Sequence, residues 1–153
     1  MAFGTLSLKG RALRLLSQRE HSRTELQRKL APHVQEGDNL AAVLDELQAQ
    51  DFISDTRVVE SVLHRRAGRL GAARIRQELQ AKGLAPEAVQ QAVAQLQPSE
   101  LERAREVWRR KFGAPAAGPQ GRAKQMRFLL TRGFSADVVR RAVQGWEDPG
   151  AEG

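Results

Sequence analysis

The sequence predicts an all-α protein, an elongated array of three tandem three-helix repeats, each built like a helix-turn-helix. Three observations carry this. First, Gly71 to Leu96 recurs without a gap, 50 positions on, as Gly121 to Trp146. The identical pairs are Gly71/Gly121, Ala73/Ala123, Leu79/Leu129, Gly83/Gly133, Val89/Val139, Ala92/Ala142 and Val93/Val143. Second, Ala, Leu, Arg, Gln and Glu dominate the composition and Tyr is absent, which favours helix. Third, no stretch alternates apolar and polar residues with the two-residue period of a strand.

Each repeat reads as helix, glycine-stopped turn, helix. In the first repeat Gly10 to Arg19 forms a helix with Ala12, Leu13 and Leu16 on one side, and residues 1–8 are left loose. Ser22 and Glu25 form a capping box, so a second helix starts at Arg23, with Leu26 and Leu30 as core positions. Pro32 closes it, Gln35-Glu36-Gly37 turns, and Asp38 or Asn39 caps a third helix carrying Leu40, Val43, Leu44 and Leu47. The junction Asp51-Phe52-Ile53-Ser54-Asp55 follows, with Phe52 and Ile53 plugging the space between repeats and Asp55 capping the next helix. That helix turns Val58, Val59, Val62 and Leu63 inward. Ile75 and Leu79 lie one turn apart on the helix after it, Gly83 stops it, and Val89, Ala92, Val93 and Leu96 form the stripe of the following one. Leu101, Ala104, Val107 or Trp108, and Phe112 give the matching stripe of the third repeat. The Ala- and Pro-bearing stretch Ala114 to Gln120 is five residues longer than its counterpart and reads as a flexible surface loop. The repeats therefore span 9–50, 55–97 and 99–146, followed by an acidic disordered tail, 147–153. An elongated monomer is expected. Small-angle scattering checks it: the radius of gyration should exceed the roughly 15 Å of a compact chain of this length.

Zero cysteines exclude disulfides and thiolate metal sites, and the start, MAFGTLSLKGRALRLL, is broken by Lys9, Arg11 and Arg14, so it is neither a signal peptide nor a membrane span. A cytoplasmic protein is the expectation. His21, His33 and His64 are scattered, with no metal-ligand spacing, and read as surface or capping residues. No nucleophile elbow or phosphate-binding glycine loop occurs. No enzyme chemistry and no cofactor is expected. Trp108, Phe112, Phe134 and Trp146 fall on core positions, whereas Phe128 aligns with the solvent-type position of Glu78 and is expected to face a neighbouring repeat or a partner.

The basic residues carry the functional signal. The net charge is +7, but residues 1–54 are neutral, residues 55–146 hold 18 Lys/Arg against 8 Asp/Glu, and residues 147–153 carry three acids. Arg65, Arg66 and Arg69 form a cluster whose repeat mate is Arg109, Arg110 and Lys111. Arg74, Arg76 and Lys82 are mirrored by Lys124, Arg127 and Arg132, and Arg140 with Arg141 add to the last helix. Charge recurring at matched sites implies a basic face suited to a long anionic partner rather than a small ligand.

At these residues the sequence resembles the RecX family of regulators of the RecA recombinase, over about residues 10–146. The marks are Ala12-Leu13-Arg14-Leu15-Leu16 with Arg19-Glu20-His21-Ser22-Arg23, then Phe52-Ile53-Ser54-Asp55, then Gly71 with Arg74-Ile75-Arg76-Gln77-Glu78-Leu79 and Lys82-Gly83-Leu84, and last Arg132-Gly133-Phe134-Ser135. Asp51 stands where that family usually has Gly, Val58 replaces a common aromatic, and Leu70 sits where Gly or an aromatic is frequent. The resemblance implies binding in the groove of the RecA filament on single-stranded DNA. It also implies inhibition of RecA's ATPase, strand exchange and co-protease activity, and so a role in DNA repair and the SOS response, with no membrane partner. The alternative is a helix-turn-helix-like protein that binds DNA directly, without RecA. Against it, helix 85–96 exposes Gln and Glu and carries no Lys or Arg.

Overall fold

The computed structural model describes residues 6–145, so Trp146 and the acidic tail lie outside the described residues. Among these residues nine α-helices occur and no strand. They are α1 (Leu8–Gln18), α2 (Arg23–Leu30), α3 (Leu40–Ala49), α4 (Asp55–Arg66), α5 (Ala72–Ala81), α6 (Pro86–Leu96), α7 (Glu100–Lys111), α8 (Pro119–Thr131) and α9 (Ala136–Ala142).

Helix starts follow local capping chemistry. The expected capping box at α2 forms in both directions: the Ser22 hydroxyl accepts from the Glu25 N–H at 3.1 Å, and the Glu25 carboxylate accepts from the Ser22 N–H at 3.1 Å. Asn39, of the two candidates, caps α3 by accepting from the Ala42 N–H, while Asp38 accepts from Gln35 N–H in the preceding turn. Three boundaries differ from the expectation. α1 begins at Leu8 because Ser7 accepts from Gly10 N–H at 3.0 Å, and Leu8 is buried. Ser54, not Asp55, faces the start of α4, accepting from Arg57 N–H at 3.3 Å. Pro119 and Gln120 open α8 instead of ending a loop, since proline's fixed φ suits a first helical turn. Asp51 takes a left-handed φ of 64° after α3, a conformation Asp tolerates better than most side chains.

The helices make two compact units, divided within α4, α5 and α6. One comprises residues 6–61 together with 79–89. Its core holds Leu8, Ala12, Leu26, Leu30, Leu44, Leu47 and Ile53. Ile53 is 3% exposed and Phe52 43%, so Ile53 alone of that pair is a plug. The start of α2 is latched onto the turn after α5. The Ser22 hydroxyl donates to the Lys82 carbonyl at 2.6 Å, Arg28 donates to the Ala81 carbonyl at 3.0 Å, and Gly83, with φ of 73°, lies against Thr24 where no Cβ fits.

Of the surface or capping roles expected for the histidines, the surface one fails at His21, which is buried. Its Nδ1 is 3.0 Å from the Arg19 carbonyl and its Nε2 3.2 Å from the Lys29 ammonium. Burial lowers its pKa from 6.5; the Arg19 carbonyl and Glu25 oppose this, and the charges of Arg19 and Lys29 reinforce it. Nearby, burial would raise the Glu25 carboxyl, but hydrogen bonds from Arg19, the Ser22 N–H and Lys82 outweigh it and hold the pKa at about 2. Both groups bind protons less readily in the folded state, so stability falls with falling pH. The His21 contribution is lost as the pH drops below 6.5, and that of Glu25 is present above 4.5 and lost on the way to about 2. Denaturant titrations from pH 7 to 3 should show a loss that Glu25→Gln reduces by about 2 kcal/mol.

The other unit comprises residues 62–78 and 90–145. Ala104, Trp108, Leu129, Phe134, Val139, Ala142 and Val143 form its core, with Leu101, Val107, Phe112, Met126 and Phe128 packed around it. Here the start of α5 is latched onto the turn after α8. Gly71 N–H donates to the Arg132 carbonyl at 2.8 Å, and Ala73 N–H to the Gly133 carbonyl at 3.2 Å. The buried Glu100 accepts from the Ala72 N–H at 3.3 Å and serves α5 as a cap from 28 residues away. Gln125 is buried at the position matching Ile75 because its amide accepts from Trp108 Nε1 at 2.9 Å and donates to the Ala114 carbonyl at 3.0 Å. The expected loop is thereby pinned at its first residue.

Leu79 and Leu129 hold the matched middle-helix position and are each fully buried. Leu79→Ala and Leu129→Ala should each cost about 2–5 kcal/mol in denaturant titrations, as truncations at packed sites do.

Candidate functional site

The candidate interface grows from the turn between α4 and α5. α4 ends in His64-Arg65-Arg66, a placement the helix dipole favours for cations. Arg69 and Leu70 follow in the turn. Arg74, Gln77 and Glu78 then share one face of α5 by their i, i+3, i+4 spacing. Arg132 arrives on the residue after α8, and the latch between Gly71 and Arg132 holds the two segments together. Arg66, Arg69, Leu70, Arg74, Gln77, Glu78 and Arg132 line a cleft of about 520 Å³. Four of the basic residues singled out by the sequence therefore meet around one hollow.

Its electrostatics are unbalanced. Arg66 Nε lies 3.4 Å from Glu78 Oε1, an ion pair too poorly aligned for a hydrogen bond. Glu78 Oε2 and Arg66 Nε are both buried without a hydrogen-bond partner. Arg74 donates to the Thr131 carbonyl at 2.8 Å, which fixes its stem across the cleft. The Arg132 guanidinium lies over the Phe128 ring, 4.8 Å from its centroid, and Lys111 approaches the same ring at 5.4 Å. Phe112 meets Phe128 edge-on at 5.5 Å. Phe128, expected to face a neighbour, packs within its own unit and supports two cations.

The other basic residues distribute differently. Arg65 and Arg76 are exposed outside the cleft lining. Arg109 and Arg110 each contact Glu106 at 3.1 Å, and Arg140 pairs with Asp137 at 3.5 Å. Lys124, Arg127 and Arg141 are exposed, with no ion pair among the described residues. Lys82 belongs to the other unit, where its side chain is 13% exposed and bound to Glu25 at 3.1 Å. Glu78 and Gln77 stand in the stretch that carries the family resemblance but were not among the candidate contacts; their i+4 and i+3 spacing from Arg74 was the available signal. Arg103, also missed, is structural. Its guanidinium donates to the carbonyls of Ala67 and Leu70 at 2.8 Å and of Leu96 at 3.2 Å, closing the turn on which Arg69 sits. Burial lowers its pKa, and the Glu100 charge opposes that. No group of three or more His, Cys, Asp or Glu that could hold a metal, and no helix long and apolar enough to cross a membrane, occurs among the described residues.

Comparison with known proteins agrees with this architecture. Residues 54–93 match the sequence model of the second RecX three-helix domain, and residues 99–143 that of the third. The chain is 57% identical over 139 residues to the regulatory protein RecX of Leptothrix cholodnii, covering 91% of this chain and 88% of that one. It is 54% identical over 140 residues to the regulatory protein RecX of Ralstonia nicotianae, covering 92% and 88%. The crystal structure of RecX from Lactobacillus salivarius superposes with a TM-score of 0.71 at 23% identity, over 90% of this chain and 92% of that one, a likeness of fold.

Proposed function

The chain belongs to the RecX family of regulatory proteins, which are not enzymes, and from that premise we propose that it binds the RecA filament on single-stranded DNA. By occupying the filament it inhibits RecA's ATPase, strand exchange and co-protease activity, and so restrains DNA repair and the SOS response. It acts as a cytoplasmic monomer, through three-helix repeats at 9–50, 55–97 and 99–146. The observation that carries this reading is the arginine cleft, an anion-seeking hollow within the basic residues 55–146. Thirteen of the fourteen basic residues named from the sequence are the candidate contacts, with Arg66, Arg69, Arg74 and Arg132 foremost. Lys82 contributes by holding Glu25 and not by contact.

The measurement is RecA's DNA-dependent ATPase with increasing amounts of this protein, beside its affinity for RecA filaments and for naked DNA. Inhibition with tighter binding to filaments than to naked DNA is expected. Equal binding to both, without inhibition, would leave a direct DNA-binding protein. The exposed face of α6 offers little for that: Glu87, Gln90, Gln91 and Gln95 are exposed, and no Lys or Arg is present to read bases.

A further inference from the structure

The arginine cleft combines three kinds of binding group, and no simple anion uses all of them. Arg69 and Arg74 supply guanidinium donors that match phosphate oxygens. Glu78 Oε2 is an acceptor, buried and without a hydrogen-bond partner. Arg132 lines the cleft while its guanidinium is braced on the Phe128 ring, so a flat cation is held at the edge of the hollow. A carboxylate or a bare phosphate would satisfy the arginines but would be repelled by Glu78 and would make no use of the plane. A nucleotide supplies a phosphate, N–H donors on the edge of its base, and a π face. The volume of about 520 Å³ lies within the range of roughly 300–1,000 Å³ typical of small-ligand sites, more than one carboxylate fills. A base inside a duplex offers neither face nor pairing edge, so a single strand fits and a double strand does not.

We infer that the cleft takes one unstacked nucleotide of single-stranded DNA. Its phosphate meets Arg69 and Arg74, its base lies against the Arg132–Phe128 plane, and its edge donates to Glu78. This rests on the filament reading for the identity of the nucleic acid, and it assigns the cleft to the DNA and not to RecA.

The test uses the full chain without RecA, and fluorescence anisotropy with two labelled 12-residue probes: oligodeoxycytidine, and a strand of abasic sites with the same phosphates. Oligodeoxycytidine should bind at least about fivefold more tightly, as stacking of a base requires. Arg69→Ala should weaken both probes severalfold. Arg132→Lys keeps the charge but not the plane, so it should leave abasic binding intact and remove the preference for bases. Glu78→Gln should tighten abasic binding by removing a like charge. Circular dichroism checks each variant's fold. Equal affinity of the wild type for the two probes, or oligomer binding that all three variants leave unchanged, overturns the inference. If those variants leave oligomer binding unchanged and lose inhibition of RecA's ATPase, the cleft meets RecA, and the filament reading stands without the inference. If oligomer binding follows the expected pattern while the wild type fails to inhibit RecA, the nucleotide site stands and the filament reading falls.

Discussion

Gly71→Ala should lose about 3 kcal/mol or more of stability through a single added methyl group. A Cβ there would run into the backbone of Gly133 and Phe134, neither of which can rotate away. Separation would break the Gly71–Arg132 and Ala73–Gly133 hydrogen bonds, each with a net value of about 1 kcal/mol, and overpacking adds about 1–3 kcal/mol. Gly68→Ala, three residues earlier, meets nothing within 4 Å and does not need a left-handed backbone. It should be neutral or slightly stabilising through the unfolded state. Thermal unfolding of the two variants side by side is the measurement. A Gly71→Ala protein as stable as the Gly68→Ala one would show that the latch is not tight.

The largest functional effect is expected of Arg69→Glu combined with Arg74→Glu. Inhibition of RecA's ATPase should weaken by about tenfold or more, and more steeply as salt is lowered, because both encounter rate and counterion release depend on these charges. Arg109→Glu with Arg110→Glu changes as many charges but should weaken inhibition less, since Glu106 already neutralises part of that pair. Dose–response curves at two salt concentrations, with circular dichroism of each variant, compare them. Equal potency of the cleft variant and the wild type would remove the cleft from the interface.

What the sequence made legible was local. The capping box at Ser22 and Glu25, the stops at Gly83 and Gly133 and the buried pair Leu79 and Leu129 each depend on neighbours within one or two turns, and each stands in the structure. The arginine clusters were legible as a basic stretch, because charge can be counted along a chain. What stayed hidden depends on partners far away in sequence. His21 becomes buried by contacts within its own unit, Lys82 is bound by Glu25 57 residues away, and Gln125 looks misplaced in an apolar stripe until Trp108 supplies a donor. Periodicity cannot register such pairs. Nor could it choose Arg66, Arg69, Arg74 and Arg132 from fourteen candidates, because the backbone latch at Gly71 brings Arg132 from a distant segment to the other three.

That latch is one of two of the same design. The start of α2 docks on the turn at Gly83 and the start of α5 on the turn at Gly133, each one belonging to the next copy. The start of α8 carries the matching glycine, Gly121. A Cβ there would instead meet Ala116, from the five added residues that precede the helix, while Gln125 grips Ala114 beside it. The insertion thus lies against the start of α8, where the equivalent glycine before α5 meets the turn at Gly133.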